Sequence, residues 1–170
     1  MLRDYLRLVV FAFGLLIGVQ LPGFVDQYAK RVSAHRIEAA RNFEGFQRTA
    51  DRYFNGNVEA LLAHYAASPD AVFKDDAKNV AVIYARLKAL TAELEAMQRP
   101  LASRIAHVAL HPDREILDET IAEYSYTVPL NQAAILCGII AGFSLALLAD
   151  LLLLALWRLL PFRRPERSSA

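Results

Sequence analysis

The chain predicts an all-α membrane protein in which two transmembrane helices flank an extramembrane helical bundle. Three observations lead there. Apolar runs at Leu8–Val25 and Ala133–Trp157 each reach the roughly 18 residues that a helix rising about 1.5 Å per residue needs to cross about 30 Å of hydrocarbon. The segment between them repeats its apolar residues at helical spacing, and no stretch in it shows a convincing strand pattern. The predicted order is a tail over 1–7, a first span over 8–25, a bundle over 26–132, a second span over 133–157 and a basic tail over 158–170.

Charge divides along the same lines. The whole chain carries 19 Lys/Arg and 18 Asp/Glu, a net charge of +1. Residues 26–132 hold 13 Lys/Arg against 15 Asp/Glu, a balance of −2 that is unlike the basic face of a nucleic-acid binder and argues against that partner. Cys137 is the only cysteine and falls in the second span, so neither an intrachain disulfide nor a cysteine metal cage is available. The bundle must hold by packing alone, and about a hundred residues suffice for one small core.

The first span has a basic start but a long apolar run, with no A-x-A-like site around residues 20–29, and so reads as an uncleaved signal anchor. Arg3 and Arg7 precede it, and Arg158, Arg163, Arg164 and Arg167 follow the second span; the Lys/Arg excess on both tails places both termini in the cytoplasm. Lys30, Arg31, Arg36 and Arg41 oppose this for the first span alone. The second span decides, because only Arg114 lies within about twenty residues before it. Phe24, Tyr28, Tyr124 and Tyr126 fall at the predicted outer edge, and Tyr5, Trp157 and Phe162 at the inner one.

Gly14 and Gly18 form a G-x-x-x-G in the first span, and Ala134, Gly138, Gly142 and Ala146 form a small-residue ladder in the second. Such ladders let helix backbones approach closely in lipid, within one chain or between chains. Asp150 is an ionisable residue well inside the second span, where a lone charge costs about 2.5–3.5 kcal/mol on insertion scales. It lies about 25 Å along the helix from Ala133, near the level of Arg7, which predicts an Arg7–Asp150 ion pair.

In the bundle, Val32, Ala39, Phe46 and Tyr53 recur every seven residues, with Ile37, Phe43 and Ala50 broadening the face of a helix that continues out of the first span. Asn55-Gly56-Asn57 stops that helix and caps the next, a short one on Val58, Leu61, Leu62 and Tyr65. Ser68-Pro69-Asp70 is a start signal that puts Pro at the first helical position, and Lys74–Asp76 reads as a polar break. From about Ala77 to Gln98, the residues Val80, Ile83, Leu87, Leu90, Leu94 and Met97 alternate spacings of three and four, a coiled-coil-like seam for another helix. Pro100 and Pro112 bound a helix on Leu101, Ile105 and Val108. Ile116, Leu117, Thr120 and Ile121 mark the last helix before an extended Tyr124–Pro129 run.

Signatures of chemistry are sparse. His107 and His111 are four apart, a spacing that suits a metal with Asp113 or Glu115 as further ligands, but surface histidines are the plainer reading and no metal or other cofactor is predicted. His35 is an ordinary polar seam residue. Asp75-Asp76, Glu93 with Glu95, and Asp118-Glu119 read as solvated charge. No G-x-S-x-G, H-E-x-x-H or glycine-rich phosphate loop occurs, which disfavours an enzyme.

The stretches PGFVDQYAKR, TADRYFNGN and YSYTVPL resemble an uncharacterised group of bacterial membrane proteins, the domain-of-unknown-function family 2937. The resemblance implies a bacterial inner-membrane protein, with the bundle periplasmic, and carries no activity or catalytic residue. The leading expectation is a non-catalytic protein whose periplasmic helical domain mediates interaction or assembly, as a homo-oligomer or with another membrane or periplasmic protein. One alternative is a sensor-like ligand-binding protein working with a separate output partner. Another is a small channel or transporter subunit using Asp150 and Gln20.

Overall fold

Helical periodicity without a strand signal becomes six α-helices and no strand among the described residues, which in this computed structural model are 2–126 and 131–159. They are α1 (Leu2–Phe54), α2 (Val58–Ala66), α3 (Ala71–Ala96), α4 (Leu101–Leu110), α5 (Arg114–Ala122) and α6 (Gln132–Leu159). Two of them, α1 and α6, are long and apolar enough to cross a membrane. The predicted extended run through Thr127, Val128 and Pro129, the inner-edge Phe162 and the tail residues Arg163, Arg164 and Arg167 lie outside the described residues.

α1 is continuous through Pro22, which lacks the N–H that would bond the Gly18 carbonyl one turn earlier. The helix ends where two successive residues turn left-handed, Asn55 at φ 51° and Gly56 at φ 79°. The Gly56 N–H reaches back to the Ala50 carbonyl at 3.1 Å and satisfies one of the terminal acceptors. Asn57 then caps α2, its side chain accepting from the Ala60 N–H at 2.9 Å; Asp70 does the same for α3 through Val72 N–H at 2.9 Å.

The start of α3 corrects two expectations. Asp70 is the cap and Ala71 the first helical residue, so Pro69 sits before the cap and not at the first helical position. Lys74–Asp76 does not break the helix either. These residues point to solvent, Asp75 pairs with Lys78 one turn on at 2.8 Å, and none of them removes a backbone donor.

The chain divides into two compact units, Met1–Gly23 with Ser125–Ala170, and Phe24–Tyr124. In the second unit, one apolar cluster joins Val25, Tyr28 and Val32 of α1 to Leu90, Ala96 and Met97 of the α3 end, Val108 of α4 and Ile116 of α5. Another joins Phe43 and Ala50 of α1 to Val58 and Leu61 of α2 and Val80 of α3. Because Val80 meets the later part of α1 and Leu90 the earlier part, α3 runs antiparallel to α1. The predicted seam is shared between the clusters: Val80, Ile83 and Leu87 pack in the second, and Leu90, Leu94 and Met97 in the first. Each fully buried Leu, Ile or Val there contributes about 1.5–3 kcal/mol.

The α1 face is narrower than the seven-residue repeat predicts. Ile37 is 45% and Tyr53 68% exposed, while the buried stripe runs through Tyr28, Val32, Phe43 and Ala50. A straight helix with 3.6 residues per turn drifts off a strict seven-residue repeat, which carries Tyr53 out of the core. Tyr28 itself is fully buried among helices, so it is a core residue and not part of an aromatic belt at a membrane edge.

Candidate functional site

Glycine on both helices lets α1 and α6 touch along their backbones. A Cβ on Gly18 would lie 2.5 Å from the Cys137 carbonyl oxygen and 2.7 Å from the Gly138 Cα, and Gly14 meets Gly142 in the same way. Ala134 and Ala146 are buried on the same ladder. The small faces are therefore in contact within one chain. Phe11 packs edge-to-face on Phe143, with ring centroids 5.1 Å apart, beside Gly142.

Toward the other end of this helical pair, Arg7 Nη2 donates to Asp150 Oδ2 at 2.5 Å. Arg3, which sequence reasoning did not place there, donates through Nε and Nη2 to Oδ1 at 3.3 and 3.2 Å. Each carboxylate oxygen thus has its own guanidinium. The Asp150 side chain is 9% exposed, and those of Arg3 and Arg7 are 58% and 59% exposed. Arg3 is one helical turn before Arg7 on the same face of α1, a relation visible in the spacing once Arg7 is chosen.

The second unit carries a polar network through its first apolar cluster. Tyr28 Oη donates to Glu93 Oε1 at 2.6 Å and accepts from the Asp113 N–H at 2.8 Å. His107 Nε2 lies 2.9 Å from the same Glu93 oxygen. Glu93 Oε1 accepts from both neighbours when the His107 proton sits on Nε2, the tautomer that this network calls for. Asp113 also caps α5 through the Ile116 N–H at 3.3 Å and pairs with Arg86 at 2.5 Å. Arg86 in turn reaches Glu115. Glu93 is thus a network member and not solvated charge, because it stands three residues after Leu90 and four before Met97, on the helix face that these buried residues turn toward α1 and α4. Four helices are tied through side chains that periodicity alone assigns to surface or membrane edge.

The candidate metal pair does not converge. His107 is committed to Glu93, and His111 caps α4 at φ −141°, outside helical geometry. Among the described residues no group of three His, Cys, Asp or Glu side chains is placed to hold a metal ion. His35 bonds Glu119 at 2.9 Å, while Arg31 reaches Glu119 and Glu123, so Glu119 too has partners.

Burial, followed by the hydrogen bond to Glu93, pushes the Tyr28 phenol well above its ordinary value near 10; the Asp113 N–H opposes this only in part. The folded state therefore holds this proton more tightly than the unfolded chain does. The corresponding stability is complete below pH about 10 and is lost as pH rises beyond it, by about 1.4 kcal/mol per unit for one proton. Tyr28→Phe is expected to cost about 1–3 kcal/mol at neutral pH, because Glu93 and the Asp113 N–H lose a partner. It should also flatten the alkaline decline in unfolding titrations, and an unchanged alkaline slope would refute the role given to this phenol.

At the opposite end of this unit, where α1 meets α2, lies an open aromatic cleft of about 310 Å³ lined by Thr49, Tyr53, Phe54, Leu61, His64 and Tyr65. The rings continue from Phe54 to His64 at 5.5 Å and from Tyr65 to Phe73 at 5.7 Å. Phe73 is 46% exposed and its neighbour Val72 66%. Helical spacing does not single out this surface, because its aromatics come from three helices and meet only where α2 folds back on α1 and α3 follows it.

Comparison with known proteins agrees with the resemblance read from the sequence. A family described as protein of unknown function, DUF2937, matches residues 2–163. No curated protein and no solved structure matches.

Proposed function

Because this chain belongs to DUF2937, a family of unknown function, we propose from its architecture that it is a non-catalytic bacterial inner-membrane protein whose periplasmic helical bundle mediates protein interaction or assembly. Both termini are cytoplasmic in this reading, which the arginines before the first span and after the second support. The observation that carries it is the aromatic surface at the α1–α2 turn. Tyr53 is exposed on the cleft and Phe73, itself 46% exposed, packs on the lining residue Tyr65; aromatic side chains are enriched where proteins meet partners. The small-residue ladders support the same division of labour, since they are occupied by contact between α1 and α6 of one chain and leave recognition to the bundle.

A photocrosslinking residue in place of Tyr53, activated in intact membranes, tests the reading. The expected result is one crosslinked species of fixed stoichiometry, either a second copy or a single other protein, that disappears with Phe73→Asp. Recovery of the monomer alone would refute it. A sensor role is the second reading, favoured by the cleft volume, which lies at the lower end of the 300–1,000 Å³ range of ligand pockets. Ligand-dependent thermal stabilisation that Tyr53→Ala abolishes would select it.

A further inference from the structure

The α1–α6 pair carries a furrow of about 630 Å³ whose two ends differ in chemistry. Asp4, Arg7, Leu8 and Phe11 line it from α1, at the i, i+3, i+4 and i+7 positions of a single helix face. Phe143 and Leu147 line it from α6. One end is thus a carboxylate beside a guanidinium, and the other is an aromatic and aliphatic trough. Arg7 reaches Asp150 with one nitrogen and remains 59% exposed, so it keeps donors for a further anion. Leu8 and Phe143 are 64% and 65% exposed along the trough.

We infer that this furrow binds a phospholipid whose headgroup carries a primary ammonium, phosphatidylethanolamine in chemical class. Its phosphate lies on Arg7, its ammonium on Asp4, and one acyl chain along Leu8, Phe11, Phe143 and Leu147. The two-sign rim identifies the occupant. Among the described residues that line the furrow, Arg7 and Asp4 are the charged ones, one of each sign, and the neighbouring Arg3 is turned to Asp150, so the rim matches a headgroup that carries both signs. It offers one anion-binding and one cation-binding group, side by side, above an apolar trough. A carboxylate has acceptor sites for more than one donor, so Asp4 can take an ammonium N–H in addition to its contacts within the protein. Trimethylated choline has no N–H to donate and matches the phosphate half alone.

The inference rests on the membrane reading of α1 and α6 and is independent of the bundle's partner. Alkaline extraction of the membranes tests that reading separately, since an integral protein stays in the pellet. The lipid site is tested with the full chain in micelles doped with equal amounts of phosphatidylethanolamine, phosphatidylcholine or phosphatidylglycerol, bound lipid being counted by native mass spectrometry. Phosphatidylethanolamine should be retained about threefold or more over either of the others, the ratio that one additional hydrogen bond supplies. Asp4→Asn should bring the ethanolamine-to-choline ratio to about one while phospholipid binding persists. The unmodified protein provides a second measurement, because stepwise N-methylation of the headgroup should lower retention progressively. Equal retention of all three lipids, stronger retention of phosphatidylglycerol, an unchanged ratio in Asp4→Asn, or indifference to methylation would each overturn the proposal.

Discussion

Replacing Arg3 and Arg7 together by Gln is expected to destabilise the α1–α6 pair by about 2 kcal/mol, whereas Asp150→Asn costs less than about 1 kcal/mol. The asymmetry follows from where each charge sits. Asp150 is 9% exposed, and without its two guanidinium partners its carboxylate is left buried and uncompensated between the helices. Breaking a fully buried ion pair costs about 3–5 kcal/mol; the figure is lower here because both arginines are more than half exposed. Removal of Asp150 leaves two cations on long stems that are already more than half exposed and stay solvated at little cost. Exchanging the charges, as Arg7→Asp with Asp150→Arg, should recover only part of the loss, since Arg3 stays beside position 150 and repels the new cation. Unfolding of the purified protein in mixed micelles measures all three. A double variant milder than Asp150→Asn, or full recovery on exchange, would remove the ion cluster from the account of how the spans are held in register.

Gly18→Ala is expected to cost at least about 2 kcal/mol, and Gly45→Ala to add about 0.5–1 kcal/mol of stability. A methyl group at position 18 meets the Cys137 carbonyl at 2.5 Å and the Ala141 methyl at 2.7 Å, distances that non-bonded atoms do not adopt. Two of the atoms in the way are backbone, so relief requires the helices to separate along the ladder, with loss of the close packing between them. Nothing lies within 4 Å of a Cβ on Gly45, so there the substitution only restrains the unfolded chain and improves helix propensity. The two variants make the same chemical change in one helix, and the contrast between them isolates contact from propensity. If both shift stability in the same direction in micelle unfolding, the close approach of α1 and α6 at Gly18 is refuted.

Much of the fold is legible in local sequence, for reasons that differ by element. The end of α1 and the start of α2 follow from Asn55-Gly56-Asn57, because positive φ and side-chain capping are properties of those three residues alone. The seam on α3 follows from spacing, since spacings of three and four keep its six residues on one face, where each joins one of the two apolar clusters. What escaped depends on residues far apart in the chain. Tyr28 meets Glu93 and Asp113 across 65 and 85 positions, and no periodicity links a phenol on one helix to a carboxylate on another. Arg3 escapes because pairing by depth selects a single best level, whereas a carboxylate accepts on both oxygens. The polar run at Lys74–Asp76 misled because charge marks a solvent-facing turn of helix as readily as a loop.

The rings of Phe24 and Tyr124, at the entry and exit of the second unit, meet edge-to-face with centroids 5.2 Å apart. Segments whose two ends adjoin are those that chains accept as insertions, because neither end has to be stretched to join its host. Residues 24–124 transplanted into a loop of an unrelated scaffold are therefore expected to need only short connectors to close.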